Sequence, residues 1–174
     1  MTATIDTTTL VELRRGGAMD LEALEAFLLG LSPDTSYRRF LTGFGPRTPP
    51  GLARRLLQPG TTGGSLLAWQ GGIVAGHGMW APIRSVHDQE DVASTAEIGV
   101  VVADAWQGCG IGSRLVDGLA LEIARHGFPR VQAVISAENH VVRHMVARRA
   151  RGADYARDGA EITVTVRASA LEAR

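Results

Sequence analysis

Residues 100–115 read VVVADAWQGCGIGSRL. A run of β-forming residues passes through Trp106 into Gly108, Gly110 and Gly112, and a helix-forming pattern follows at once. A strand that feeds a glycine turn at the head of a helix is an anion-binding device. The first helical N–H groups have no partner inside the helix, and the helix dipole adds partial positive charge there. Glycines let the backbone come close enough to bond phosphate oxygens. The turn holds no lysine, and neither does the rest of the chain, since all 18 basic residues are arginine. Backbone amides are left to do the cradling.

That limits the phosphate motifs available. A Walker A loop needs GxxxxGK followed by Ser or Thr, and no Lys exists to supply it. A dinucleotide fingerprint needs GxGxxG and an acidic residue about 20 positions later. Here the glycines recur at every second position, and the next strand ends in Ser136. A plain strand-to-helix connection stays open on spacing alone, although glycines placed this densely cost backbone entropy with nothing to reward it.

The chain of 174 residues is long enough for one domain with a sizeable core, and the reading is a single domain over 1–174. With 18 basic and 18 acidic residues the formal charge is zero, so the electrostatic footprint of a nucleic-acid binder is missing. Cys109 is the single cysteine, which excludes an internal disulfide and fits a reducing compartment. The opening MTATIDTTTL has neither a basic start nor an apolar stretch, and no segment approaches the roughly 20 apolar residues that span a bilayer. The expected location is the cytoplasm, with no membrane partner.

The periodicities predict an order of elements. Residues 9–13 read as a strand. A helix follows from Asp20 as N-cap, with Leu21, Leu24, Phe27, Leu28 and Leu31 on its apolar face. Ser32-Pro33-Asp34 starts a second helix that would run to Gly43, and 51–57 form a third. Strands at 65–69 and 73–83 flank a hairpin at Gly71-Gly72, and 85–94 form a polar loop. The strand at 95–103 leads into the glycine turn and a helix over 111–126 lined by Leu115, Leu119 and Ile123. A strand at 130–136, a helix at 138–149 with Val141, Val142, Met145 and Val146 inward, and strands near Tyr155 and at 161–166 complete it. This is an α/β chain: a mixed sheet with helices on both faces.

Residues 107–112, Gln-Gly-Cys-Gly-Ile-Gly, match QxxGxG. In this order of elements the chain resembles the GNAT-type N-acetyltransferase superfamily, in which that signature meets the pyrophosphate of acetyl-CoA. The segment LSPDTSYRRF (31–40) further resembles the acetyltransferase domains of bacterial protein lysine acetyltransferases. The likeness covers roughly residues 9–150. It implies a twisted mixed sheet in which two parallel strands, 95–103 and 130–136, splay apart around acetyl-CoA. It further implies that Val100 and Val102 offer main-chain groups to the pantetheine arm and that an amide near Val101 faces the thioester carbonyl. By the same resemblance Gln107, Gly108, Cys109, Gly110, Ile111, Gly112 and Ser113 would take the pyrophosphate. Asn139 matches a helix-start Asn that reaches the cofactor, though Asn is equally a leading cap residue.

Acetyl transfer to an amine needs a base, because a free lysine amine has a pKa of about 10.4. Glu97 lies in the otherwise apolar AEIGVVVA, where burial should raise its pKa toward working pH. It matches the glutamate that relatives use. The tyrosine that many members carry seven residues after the helix-start Asn is replaced by Val146, so no general acid is carried over. Tyr155 is expected to pack on the sheet.

Smaller signals have plainer readings. His140 and His144 stand at i, i+4 with no third ligand evident, so no metal is expected. Arg148, Arg149 and Arg151 read as a solvated helix end. The loop 87–91 (HDQED) carries three carboxylates that would attract a cationic acceptor. The expected reaction moves an acetyl group from acetyl-CoA to a primary amine, with a protein lysine as acceptor. A small-molecule amine or aminoglycoside, and a non-catalytic acyl-CoA-binding module, remain as alternatives; the sequence says nothing of the oligomeric state.

Overall fold

The computed structural model describes residues 11–42, 47–58, 62–83 and 95–171. Seven strands, β1 (Glu12–Arg15), β2 (Gly64–Gln70), β3 (Ile73–Ile83), β4 (Thr95–Val102), β5 (Arg130–Ser136), β6 (Asp154–Asp158) and β7 (Glu161–Arg167), form one sheet in the order β1-β2-β3-β4-β5-β7-β6. Every neighbouring pair is antiparallel except β4 and β5, which are parallel. The helices are α1 (Leu21–Leu29), α2 (Pro33–Phe40), α3 (Leu52–Leu57), α4 (Ile111–Arg125) and α5 (His140–Arg149). The element order read from periodicity is the observed one.

Strand alternation builds two cores, one on each face. Leu66 and Ala68 of β2 and Trp80 of β3 meet Ile111, Leu115, Leu119 and Ile123 of α4. Leu67 of β2 and Val101 of β4 point the other way, into Leu24, Phe27 and Leu28 of α1 and Leu56 and Leu57 of α3. On β4 the even positions Ile98, Val100 and Val102 pack toward α4. Glu97, Gly99 and Val101 therefore share the face that carries the N-terminal helices.

One carboxylate lies on the otherwise apolar side of α4. Glu122 is buried, and it accepts from Arg15 Nε at 2.6 Å and from Trp80 Nε1 at 3.2 Å. Both oxygens are thus satisfied, as burial of a charge demands. The pair ties β1 to the helix that carries the glycine turn.

Several local expectations change. β1 begins three residues later than the predicted strand, while residues 9 and 10 lie outside the described residues. Asp20 does not cap α1; it accepts from Gly17 N at 2.9 Å and closes a short 3-10 turn ahead of the helix. α2 stops at Phe40, because Leu41 adopts the left-handed conformation at φ 55°. Ser32 caps it as expected, accepting from Thr35 N at 3.2 Å. No residue of α5 is buried: Val141 is exposed, and Val142, Met145 and Val146 are half-buried. Arg149 is no free helix end but pairs with Asp117 of α4. Tyr155 does not pack on the sheet; β6 is an edge strand whose residues are all exposed.

Candidate acetyl-CoA and transfer site

β4 and β5 are joined only at their first residues. The parallel register runs Thr95↔Arg130, Ala96↔Val131 and Glu97↔Gln132, and then ends. On its other side β4 stays paired with β3 along its whole length, from Ile83↔Thr95 to Gly76↔Val102. β5 likewise keeps β7 from Arg130↔Arg167 to Ser136↔Glu161. Each strand is locked to its outer neighbour, so the sheet opens between them beyond Glu97. The parted edges carry main-chain groups that no strand satisfies.

The antiparallel ladder decides which groups face this opening. Ala103 N donates to Ala75 O at 2.9 Å, which makes 103 and 75 a hydrogen-bonded pair. Such pairs recur at every second residue, so Val101 is committed to His77 of β3. The amides and carbonyls of Ile98, Val100 and Val102 lie on the open side. Val100 and Val102 thus keep main-chain groups on the open side of β4, the Val102 carbonyl taking a bond from Gln107. Val101 does not: its amide faces β3 and its side chain fills the α1 core, because the alternation that frees its neighbours binds it.

At the mouth of the opening, a short 3-10 turn (Asp104–Trp106) leads to the glycines. Gly108 and Gly110 have φ of 78° and 80°, a region unfavourable to other L-residues, and a Cβ built on either would meet no atom within 4 Å. The turn is therefore open around them, and conformation rather than crowding calls for glycine. Arg114 N is the first amide to find a helical acceptor, Gly110 O at 3.2 Å. The amides of Ile111, Gly112 and Ser113 precede it at the positive end of α4. The Ile111 side chain itself is buried in the core, leaving only its backbone for a ligand. Cys109 is exposed. The Ser113 hydroxyl points at Met145 Sδ, 3.9 Å away.

Gln107 has an unexpected task. Its Nε2 donates to Val102 O and to Thr35 Oγ1, both at 3.1 Å. Beside it Asp104 accepts from the Ser32 hydroxyl and the Thr35 hydroxyl at 2.7 Å each, and from Ser32 N at 3.0 Å. Burial, the largest single influence, pushes the Asp104 carboxyl up, but the bonds from Ser32 and Thr35 together outweigh it and hold the group below its ordinary value. The turn is thereby fastened to the first turn of α2. Neither Asp104 nor Thr35 is visible as a site residue in sequence; the one clue is that Ser32 and Thr35 stand at cap spacing, which leaves each hydroxyl hydrogen to donate outward.

Glu97 is half-buried, on the last paired residue before the sheet opens. On the same face lie Gly99 and the Arg39 guanidinium of α2. Behind them His77 is fully buried, with Nε2 3.1 Å from Ser65 Oγ and 3.4 Å from Leu56 O. Desolvation, helped by the Arg39 charge, pushes its pKa down to about 3, so it is neutral.

Asn139 is 9% exposed and acts as N-cap of α5, accepting from Val142 N at 3.2 Å. His140 and His144 are both exposed on α5, and among the described residues no three possible metal ligands come together. No helix among them is long and apolar enough to cross a membrane. The acidic loop 87–91 lies outside the described residues.

A sheet opened between two parallel strands, with helix amides at its mouth, is a mixed α/β arrangement whose chemistry suits a diphosphate at one end and an amide-rich arm along a strand edge. The residues fit acetyl-CoA: a glycine turn clear of side chains, and a free strand edge beside it. The acetyltransferase (GNAT) family model matches residues 34–152, and the chain belongs to that family. It is an acetyl-CoA-dependent N-acetyltransferase. Solved structures agree in fold. The GNAT domain of Streptomyces lividans PAT superposes with a TM-score of 0.80 at 22% identity, over 90% of each chain. The Salmonella typhimurium acetyltransferase yncA, solved with acetyl-CoA, gives 0.68 at 18% identity, over 95% of this chain and 96% of that one. A phosphinothricin acetyltransferase from Sinorhizobium meliloti, also with acetyl-CoA, gives 0.65 at 18%, over 90% and 88%.

Proposed function

We propose that the acceptor is the ε-amine of a protein lysine. The observation that carries this reading is the place of α2. The LSPDTSYRRF segment, whose likeness is to protein lysine acetyltransferases, forms the helix fastened to the cofactor turn by Asp104 and Gln107. The same helix brings Arg39 against the strand of Glu97. The resemblance thus falls on the acceptor side of the opening rather than on remote scaffold. The S. lividans PAT domain supports the fold of this arrangement.

In this reading the amides of 108–113 hold the diphosphate, and the gap-side groups of Val100 and Val102 align the arm. Acetyl-CoA supplies the activated acyl group. Glu97 receives the proton of the incoming ammonium, directly or through a water, so that the amine is neutral when it attacks. The main-chain N–H groups of Val100 and Val102 are the donors directed into the opening, and they offer stabilisation for negative charge that develops there.

The test is release of free CoA from acetyl-CoA with lysine-containing peptides, polyamines and aminoglycosides side by side. Faster release with peptide, and an acetylated lysine found by mass spectrometry, are expected. Turnover confined to a polyamine or aminoglycoside would overturn the acceptor assignment. Acetyl-CoA binding without turnover on any of them would reduce the chain to a binding module.

A further inference from the structure

Arg38 and Arg39 are neighbours on α2 with opposite fates. Arg38 points outward and pairs with Asp34 at 3.0 Å, an ordinary exposed i, i+4 ion pair. Arg39 turns inward. Its guanidinium lies 4.9 Å from the centroid of the Phe40 ring and flat against β4 at Gly99. A Cβ built on Gly99 would come within 2.9 Å of Nη1 and nearer still to Nη2 and Cζ. Any residue but glycine would evict the guanidinium. The seat is thus shaped by a missing side chain, two residues after Glu97 on the same face of the strand.

Keeping a charge there is costly. Arg39 Nε has no hydrogen-bond partner although it is buried. Burial pulls the guanidinium down to about 10, and the Glu97 charge pushes back. Arg39 is still a cation at neutral pH. A half-buried cation with a bare Nε is weak material for stability, yet the fold reserves a glycine for it.

We propose that Arg39 is a positioning residue for Glu97: seated on Gly99, it fixes a positive charge on the face of β4 that carries the carboxylate and orients that carboxylate toward the acceptor side. The proposal rests on Glu97 being the base. Arg39 itself need touch neither acetyl-CoA nor the acceptor. α2 then joins the two halves of the site, through Thr35 to the cofactor turn and through Arg39 to the base.

A double-mutant cycle on kcat tests this. Arg39→Met is expected to lower kcat about tenfold or more, with acetyl-CoA affinity by calorimetry unchanged within about twofold and a melting temperature no lower than the parent's, since an apolar side chain replaces a half-buried ion whose Nε has no partner. Gly99→Ala should reproduce the loss by filling the seat while leaving both charged residues in place. It also serves if Arg39→Met does not fold. In a Glu97→Gln background, Arg39→Met or Gly99→Ala should cost less than about twofold more, because the residue through which Arg39 acts is gone. Equal losses in both backgrounds, or no loss from Arg39→Met with Glu97 present, overturn the proposal. A Glu97→Gln variant that keeps full activity removes the base reading itself, and the inference with it.

Discussion

The Asp104 carboxylate accepts the Thr35 hydroxyl at 2.7 Å, across 69 positions of chain. This contact fastens the head of α2 to the residues just before the glycine turn. Asp104→Ala should therefore act on both. The lost bonds involve a charged acceptor but are largely exposed, so about 1 kcal/mol is expected, or a fall in melting temperature of about 2–4 °C. Acetyl-CoA affinity should fall as well. The folded carboxyl titrates below its unfolded value, so this stabilisation is present above the unfolded pKa and is lost as pH falls through the folded one. Melting of parent and variant should differ at pH 7 and converge in acid.

The glycines of the turn are not equivalent. Gly110→Ala forces a Cβ into the left-handed region at a cost of about 1–2 kcal/mol. It should lower the melting temperature and weaken acetyl-CoA binding about tenfold by calorimetry. Gly112 has no positive φ, and a Cβ there would make ordinary contact with Val102 Cγ2 at 3.7 Å. Gly112→Ala should therefore melt at or above the parent, because alanine is the better helix former by about 1 kcal/mol.

Glu97→Gln removes the proton acceptor without changing the side chain's size. Acetyl-CoA affinity should be retained while kcat at neutral pH falls by about 10²–10⁴-fold, the usual range for a general base. Steady-state kinetics across pH 6–9 (about the range where a base with ordinary tuning matters) is the measurement. A rate and pH profile matching the parent's would exclude the role.

His77 gives the fold an acid limit. Its folded pKa is lowered to about 3 from 6.5. Below the unfolded value the unfolded chain gains a proton that the folded chain refuses. Stability should be level above about pH 6.5 and then decline by up to about 1.4 kcal/mol per pH unit as pH falls toward the folded value. In His77→Gln the denaturant midpoints should decline less steeply over that window than the parent's.

Much of this protein is legible along the chain. The element order follows from apolar period, and the Ser32 cap and the glycine turn follow from side-chain chemistry at fixed short spacing. These signals are local, since each depends on residues within a turn or two of one another. Glu97 stands out for the same reason: it is a carboxylate in a β-branched run.

What required the tertiary structure was everything settled by partners far apart in sequence. No local pattern says that β4 parts from β5 just after Glu97; that depends on both strands being held by outer neighbours. Val101 loses its amide to β3 by ladder parity, and Asn139 spends its oxygen on capping α5. Gln107, read as a phosphate ligand, donates its side-chain amide to α2, and Arg39, which no local pattern singles out, lies on Gly99. The sequence alone determined that a glycine turn at a helix terminus would follow an apolar strand, because glycine conformation and apolar period are local properties. Only packing decided which charge stands beside Glu97, because electrostatic partners are chosen by distance through space.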